Sequence, residues 1–274
     1  MDKKTLKRLL WGDFSVKRML KSAIFIYGCL CIWGYFFSES IIFQPHPSSY
    51  QDSKQILKLT TANGMQISAV YLPNPAAKYT LLFSHGNGED LGDDLFMLRE
   101  LQQMGFAVFA YDYQGYGTSQ GKPTELNSYK DIDAAYNYLT QQLAIPSSRI
   151  IAYGRSIGSG PSVDLAYRQP LAGLILESPF TRVFLVRTRI PIVPFDKFRN
   201  IDKIKSVRCP VLVIHGKQDR VIPFSHGEKV FAAANQPKLS FWIDEADHND
   251  VMEVAGENYA KKLREFVELV ERSH

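Results

Sequence analysis

One short segment of the chain carries the residue pattern of an activated serine. Residues 154–158 read GRSIG, a G-x-S-x-G sequence that follows a short apolar run from Arg149 and precedes an amphipathic stretch. A sharp strand-to-helix turn needs these glycines, because side chains there would collide with neighbouring backbone. Such a turn presents the serine hydroxyl beside a helix N-terminus. The segment predicts that Ser156 is a nucleophile; the alternative is a glycine-rich turn with a capping serine.

A serine hydroxyl is a weak nucleophile at neutral pH and needs a base, which an acid in turn orients. The histidines that follow Ser156 are His215, His226, His248 and His274. His248 lies in a polar stretch, residues 244–250, directly after the last apolar run, where the base of such a site is expected. His226 reads as the start of a helix, His215 closes a strand, and His274 ends the chain. We therefore expect His248 to be the base, with His226 as the alternative.

The acid is expected between the nucleophile and the base in sequence. Asp219 follows the apolar run that begins at Val211, where its carboxylate would accept the imidazole N–H and fix the tautomer of the ring. Asp247 and Asp244 are alternatives, but proximity to His248 in sequence does not aim their carboxylates at its ring. We expect Asp219 to be the acid.

An acyl-transfer reaction also needs two backbone N–H donors for the developing oxyanion. One comes from the residue after the nucleophile, Ile157, and the other from a loop after an early strand. Residues 84–88 read SHGNG, and their small side chains would let the main chain approach a substrate oxygen at Asn87. A plain β-turn is the alternative for this loop. The predicted chemistry requires no metal and no organic cofactor.

The elements that would position these residues follow an alternating rhythm. Two β-type runs flank Asn63-Gly64 and predict an antiparallel hairpin. Further apolar runs begin at Thr80, Ala107, Arg149, Ala172, Val211 and Leu239. Helical patterns occur around residues 95–104, 128–143, 158–168, 226–234 and 253–272. This pattern predicts an α/β fold whose mostly parallel sheet is covered on both faces. The candidate residues follow the strands, where such sheets bind ligands.

The N-terminal region predicts a membrane anchor. Met19 to Phe37 is an apolar run in which Lys21 is the only charge, and its roughly 19 residues would span about 28 Å as a helix. We divide the chain into a basic cytoplasmic leader (1–21), a transmembrane anchor (22–40) and a catalytic domain (41–274). The basic residues precede the anchor, which predicts that the domain lies on the opposite side of the membrane. A cleaved signal peptide, a lipoprotein signal ending at Cys29 and a buried core helix are the alternatives.

Charge and cysteine content limit the kinds of partner and the disulfide bonds that we expect. Seven Lys and Arg residues against two Asp precede residue 22, so the formal net charge of +4 leaves the rest of the chain nearly neutral. A nucleic-acid interface would need clustered basic residues in that part of the chain, so we expect no nucleic-acid partner. Cys29 and Cys31 fall inside the apolar run, out of reach of Cys209, so we expect no disulfide within the domain. The sequence does not determine the oligomeric state.

A segment that is both apolar and basic, residues 179–206, lies between two predicted strands. We interpret it as a short cap over the site, in which five apolar residues would receive an acyl chain: Phe180, Phe184, Leu185, Ile190 and Ile192. The arginines Arg182, Arg187 and Arg189 would then meet lipid phosphates. An ordinary crossover packed on the core is the alternative.

Several motifs together resemble one family. They are FSHGNGEDLG from Phe83, YDYQGYGTSQGKPTE from Tyr111, YGRSIGSGPSVDLA from Tyr153, PVLVIHGKQDRVIPFSHGEKVF from Pro210 and EADHND from Glu245. In combination they are similar to the α/β-hydrolase-domain serine hydrolases, the group that includes membrane-associated protein depalmitoylases, over about residues 55 to 270. The resemblance implies the α/β-hydrolase fold and the same three residues, Ser156, Asp219 and His248. The depalmitoylases are anchored through acylated cysteines, and the predicted transmembrane segment is a departure from them.

The resemblance also implies a reaction and a substrate class. Members of the group hydrolyse esters or thioesters of fatty acyl groups, so we expect an acylated lipid or an acyl-protein as substrate and the membrane as partner. A peptidase or small-ester hydrolase with the same three residues is the second hypothesis, since a fold does not dictate a substrate. A catalytically silent, membrane-tethered binding scaffold is the third.

Overall fold

The computed structural model describes residues 15–188 and 190–273 and contains one sheet of eight strands. The strands are β1 Leu57–Thr60, β2 Gln66–Leu72, β3 Thr80–Ser84, β4 Ala107–Tyr111, β5 Ile150–Arg155, β6 Gly173–Glu177, β7 Val211–Gly216 and β8 Lys238–Ile243. Their order is β1-β2-β4-β3-β5-β6-β7-β8. The pairs β1/β2 and β2/β4 are antiparallel, and every other pair is parallel. The predicted mostly parallel sheet and its antiparallel hairpin are confirmed.

The helices lie before, between and after these strands. They are α1 Val16–Ile42, α2 Leu95–Gln103, α3 Glu125–Asn137, α4 Ser159–Arg168, α5 Val183–Thr188, α6 Asn200–Lys203, α7 Ser225–Ala233, α8 Val251–Ala255 and α9 Glu257–Ser273. The pattern around 253–272 predicted one helix, but Gly256 separates α8 from α9 with a φ of +52°. Helix α3 begins earlier than predicted, because the Thr124 side chain accepts a hydrogen bond from Asn127 N at 3.0 Å.

Apolar residues of the parallel strands alternate between two buried layers. Leu82 of β3 packs in the layer with α3, α4 and α7, whereas Leu81 and Phe83 pack in the layer with α2 and α9. All five residues of β3 and all six of β5 are buried. Because both faces are covered, the loops at the carboxyl ends of these strands are where the sheet can present polar groups.

Helix α1 is long and apolar enough to cross a membrane, by length and composition. None of its most apolar 18 residues is buried, so the alternative of a core helix is wrong. The helix joins the domain directly: Phe43 is 3% exposed and packs edge-on against Tyr116 and Phe198. The basic residues that precede position 15, together with His274, lie outside the described residues.

We expect Phe266→Ala to destabilise the domain by about 3–5 kcal/mol, because this fully buried ring of α9 would leave a cavity against Gly173 of β6. Glu268→Ala, on the exposed side of the same helix, should change stability by no more than about 0.5 kcal/mol. Chemical unfolding of the full chain in detergent solution measures both. Equal effects of the two substitutions would contradict this packing.

Candidate active site

Ser156 lies directly after β5, in a tight turn that leads into α4. Its φ is +53°, in the left-handed region that non-glycine residues rarely adopt. A Cβ at Gly154 would collide with Gly158 O, and one at Gly158 would collide with Ser84 O. The predicted reason for both glycines is confirmed. The turn holds the hydroxyl of Ser156 at the carboxyl edge of the sheet.

A continuous hydrogen-bonded chain joins Ser156 to an acid. Ser156 Oγ lies 3.0 Å from His248 Nε2, and His248 Nδ1 lies 2.7 Å from Asp219 Oδ2. Since an ionised carboxylate only accepts hydrogen bonds, Nδ1 must carry the proton, and Nε2 is left to accept from the serine hydroxyl. All three residues are only 7% exposed. The structure thus brings together the three residues that the sequence singled out.

Asp219 is held by more partners than the sequence indicated. Its Oδ1 accepts from the backbone N–H groups of Val221 at 2.9 Å and Ile222 at 2.7 Å. Its Oδ2 lies 3.2 Å from Nε2 of fully buried His215. Burial alone would raise the pKa of Asp219, but hydrogen bonds from His215 and His248 outweigh it and hold that pKa below its ordinary value. The carboxylate therefore stays ionised at neutral pH. The sequence alone places His215 only at the end of a strand.

The alternative acids and base are engaged elsewhere. Asp247 binds Arg220 Nε at 2.6 Å, which braces the loops that carry Asp219 and His248. Asp244 pairs with Lys217 at 2.5 Å on the exposed surface. His226 Nδ1 lies 3.0 Å from the Thr181 hydroxyl. The pKa of His226 is lowered to about 4, mainly because the ring is buried. The structure does not bring these three side chains to Ser156.

The loop after β3 and the turn after β5 face the same space, which both Asn87 and Ile157 line. The Asn87 side chain makes three hydrogen bonds: Nδ2 donates to Ile42 O at 2.7 Å, and Oδ1 accepts from Gln44 N at 3.0 Å and Tyr116 Oη at 2.6 Å. These bonds fix the loop to the end of α1. The backbone of Asn87 is thereby held in place beside Ser156.

A buried arginine, which sequence reasoning did not single out, ties together the loops of the site. Arg155 binds Glu89 through Nη1, lies 3.3 Å from Glu177 through Nε, and donates to Asn249 Oδ1 at 2.9 Å. Burial alone would lower the Arg155 pKa, but Glu89 and Glu177 outweigh it and raise that pKa. Glu89 also accepts from Gly86 N at 2.9 Å. An arginine at the end of an apolar strand was the available signal, because buried charges are normally paired.

A cavity of about 850 Å³ extends from Ser156 and His248. Phe180 and Phe184 line it, with Ile192 and Phe195 of the segment that follows α5. The short predicted cap thus takes the form of α5 and this segment. Leu185 instead lines a separate cavity of about 320 Å³ beside His226 and Lys229, away from Ser156. Leu185 is therefore not part of the cavity that Phe180 and Phe184 line, contrary to the expectation for this residue.

The basic side chains of the cap have different surroundings. Arg182 pairs with Asp202 at 3.1 Å, whereas Arg187 is exposed and lines the rim of the large cavity. Arg189 lies outside the described residues.

His46, Asp90 and Asp93 form a group of side chains with metal-ligand chemistry, whose donor atoms lie within 4.8 Å of one another. These atoms already have partners: His46 Nε2 bonds Asp93 Oδ2 at 2.9 Å, and Asp90 accepts from Ser49 N at 2.8 Å and Gly92 N at 2.9 Å. The group braces the segment after α1 against the loop before α2.

The sequence matches a family described as serine aminopeptidase, S33, over residues 75–195. Alpha/beta hydrolase domain-containing protein 17B of Homo sapiens is 43% identical over 240 residues, which cover 86% of this chain and 82% of that protein. Alpha/beta hydrolase domain-containing protein 17C of Mus musculus is 41% identical over 221 residues, covering 79% and 68%.

Solved structures share the fold at low sequence identity. The Pyrococcus furiosus esterase Pf2001 superposes with a TM-score of 0.69 at 18% identity, over 82% of this chain and 98% of that one. Est1E from Butyrivibrio proteoclasticus, solved with ferulic acid, gives 0.65 at 19% identity, over 78% and 99%. The sequence identity to the hydrolase domain-containing proteins shows the family as well as the fold. This chain belongs to the α/β-hydrolase family of serine hydrolases, in the group of the α/β hydrolase domain-containing proteins 17.

Proposed function

We propose that the chain is a membrane-anchored serine hydrolase that cleaves carboxylic ester or thioester bonds of acylated lipids or acyl-proteins. The observation that carries the proposal is the hydrogen-bonded chain from Asp219 through His248 to Ser156, at the base of an apolar cavity. An ionised acid, an oriented imidazole and a strained serine together form an activated nucleophile. The apolar lining suits a fatty acyl chain.

The reaction proceeds in two steps. His248 Nε2 takes the proton of Ser156 as Oγ attacks the acyl carbonyl, and the imidazolium that forms is stabilised by Asp219. Backbone N–H groups of Ile157 and Asn87 stabilise the oxyanion. Nε2 then protonates the leaving alcohol or thiol. Water activated by the same imidazole hydrolyses the acyl-enzyme and releases the acid.

The anchor is α1, with the basic leader in the cytoplasm and the catalytic domain on the opposite side of the membrane. The length and apolar composition of α1 support the span, and Lys17, Arg18 and Lys21 at its start support the orientation. The proposed division is a leader (1–21), an anchor (22–40) and a catalytic domain (41–274).

Ser156→Ala should reduce kcat for acyl esters by about 10⁴-fold or more, because the acyl-enzyme cannot form. It should also abolish labelling by a fluorophosphonate probe and leave the thermal unfolding midpoint unchanged. Ser225→Ala, an exposed serine at the start of α7, is the matched control and should keep both activity and labelling. Unlabelled parent protein would support the silent scaffold instead. A panel of p-nitrophenyl esters of increasing length, acyl-thioesters and aminopeptidase substrates distinguishes the remaining hypotheses.

Asp219→Asn should reduce kcat by about 10⁴-fold, because the amide would donate towards His248 Nδ1 and select the tautomer whose Nε2 cannot accept a proton. Asp244→Asn removes an exposed carboxylate that pairs with Lys217 and should retain parental activity. Steady-state kinetics on a soluble ester measures both. Comparable losses in the two variants would exclude Asp219 as the orienting acid.

The proposed membrane span of α1 predicts that cysteines placed at its two ends differ in their accessibility to a reagent added outside. In sealed vesicles with the catalytic domain outside, a membrane-impermeant maleimide should label Gln51→Cys at once and label Val16→Cys only after permeabilisation. Both positions are exposed side chains, and the parent chain with its half-buried Cys209 provides the background. Immediate labelling at both positions would show that α1 does not span the membrane.

A further inference from the structure

The anchor helix forms one wall of the cavity beside Ser156. Leu30, Trp33, Gly34 and Ser38 of α1 line this cavity together with the cap. Gly28, Cys31, Gly34 and Ser38 lie on one side of α1 and are less exposed than their neighbours. This face of small residues allows the cap to approach the helix closely. A chain in the cavity would therefore touch both the catalytic domain and the membrane-spanning segment.

The cap runs along the C-terminal half of α1. Near the domain, Lys197 pairs with Glu39 at 2.9 Å. Further along the helix, the rings of Tyr35 and Phe195 meet edge to face at 5.6 Å, and Tyr27 Oη donates to Ile192 O at 3.1 Å. Glu39 and Tyr27 are separated by about 18 Å at 1.5 Å per residue. A hydrocarbon core is about 30 Å thick, so a cap that reaches Tyr27 lies at membrane depth.

The tip of the cap has the composition of a lipid-facing segment. Residues 190–195 read IPIVPF, without a charge or a polar side chain. Ile190 is 65% exposed and Ile192 is 46% exposed, so the described part of the chain leaves a large part of each side chain uncovered. Contiguous exposed apolar residues mark a surface that is covered by a partner or a membrane. Here the neighbouring element is the membrane-spanning helix, which identifies the cover as lipid.

The backbone of this tip is also adapted to hydrocarbon, where each unpaired polar group is costly. Pro191 and Pro194 have no N–H to satisfy. Ile190 O accepts a hydrogen bond from Thr188 Oγ1 at 2.7 Å, and Ile192 O accepts from Tyr27 Oη at 3.1 Å. Two side-chain hydroxyls thus satisfy carbonyls in the most exposed part of the cap, which water would otherwise satisfy.

We propose that the cap tip, residues 190–195, is embedded in the hydrocarbon core of the membrane, which it enters through the leaflet on the side of the catalytic domain. The acyl chain of a membrane-resident ester or thioester reaches Ser156 from within that leaflet, through the gap between the cap and α1. This inference rests on the proposed function and narrows its substrate class to long acyl chains that already lie in the bilayer. Helix α1 is then part of the acyl site as well as an anchor.

A single substitution in the cap tip tests the route. The full chain is reconstituted in phosphatidylcholine vesicles and assayed with p-nitrophenyl butyrate in water and p-nitrophenyl palmitate in the bilayer. Ile190→Glu, at a 65% exposed position outside the cavity lining, should reduce palmitate hydrolysis by about tenfold or more, because charged groups are costly in hydrocarbon. Butyrate hydrolysis should stay within about twofold of the parent chain, because this ester reaches Ser156 from water and does not cross the hydrocarbon in which the charge is costly. Phe96→Glu, at a 75% exposed position on α2, is the matched control and should change neither rate.

A second pair of variants tests the wall formed by α1 without placing a charge in the membrane. A side chain at Gly34, which lines the cavity, would make ordinary contact with Phe195 at 3.7 Å, whereas a side chain at Gly28 meets nothing within 4 Å. Gly34→Leu should shift the preferred ester to a shorter acyl chain by filling part of the cavity. Gly28→Leu, two turns away on the same helix, should leave the chain-length profile unchanged.

The outcomes separate this inference from the function on which it rests. A parent chain that hydrolyses neither ester refutes the proposed function. A parent chain that hydrolyses both, with an Ile190→Glu variant that loses both equally or loses neither, overturns the membrane route. Identical chain-length profiles for Gly34→Leu and Gly28→Leu overturn the role of α1. Vesicles that carry either a palmitoyl lipid ester or an S-palmitoyl peptide then show which of the two membrane sources is used.

Discussion

The hydrogen bond between the Asp219 carboxylate and His248 Nδ1 determines what the rest of the site can do. Burial alone would favour the protonated acid, which would no longer hold the imidazole in the required tautomer. Two backbone N–H groups and His215 supply enough hydrogen bonds to keep the carboxylate charged in spite of its burial. The tautomer of His248, and with it the ability of Nε2 to accept a proton from Ser156, follows from that balance.

The sheet brings these groups together because parallel strands all end at one edge. Asn87, Ser156, Asp219 and His248 follow β3, β5, β7 and β8, and the pairing of these strands is in close register, with Ser84 opposite Gly154 and Gly216 opposite Ile243. Arg155 adds bonds across three of the loops, through Glu89 and Asn249. Loops that would otherwise move separately are therefore held as one surface.

Helix α1 is continuous with this surface. Phe43 inserts its ring into the core directly after α1, and the Asn87 side chain bonds Ile42 O and Gln44 N. The end of the helix and the loop beside Ser156 are consequently fixed by the same side chain. With α1 in a bilayer, as proposed, this attachment would set the distance and direction of the site relative to the membrane, which a flexible linker would leave free.

Local patterns in the sequence determined the strands, most of the helices and the three residues of the hydrogen-bonded chain, since apolar runs and G-x-S-x-G are local signals and strand ends meet at one edge. Helix α1 could also be predicted from sequence, because length and hydropathy alone indicate a helix that could span a membrane. Sequence could not reveal His215 beside Asp219, the Arg155 network, or that Leu185 is not part of the cavity that Phe184 lines. These depend on which side chains meet across loops far apart in the chain. Only tertiary packing decides such contacts, and it also placed α1 against the cap.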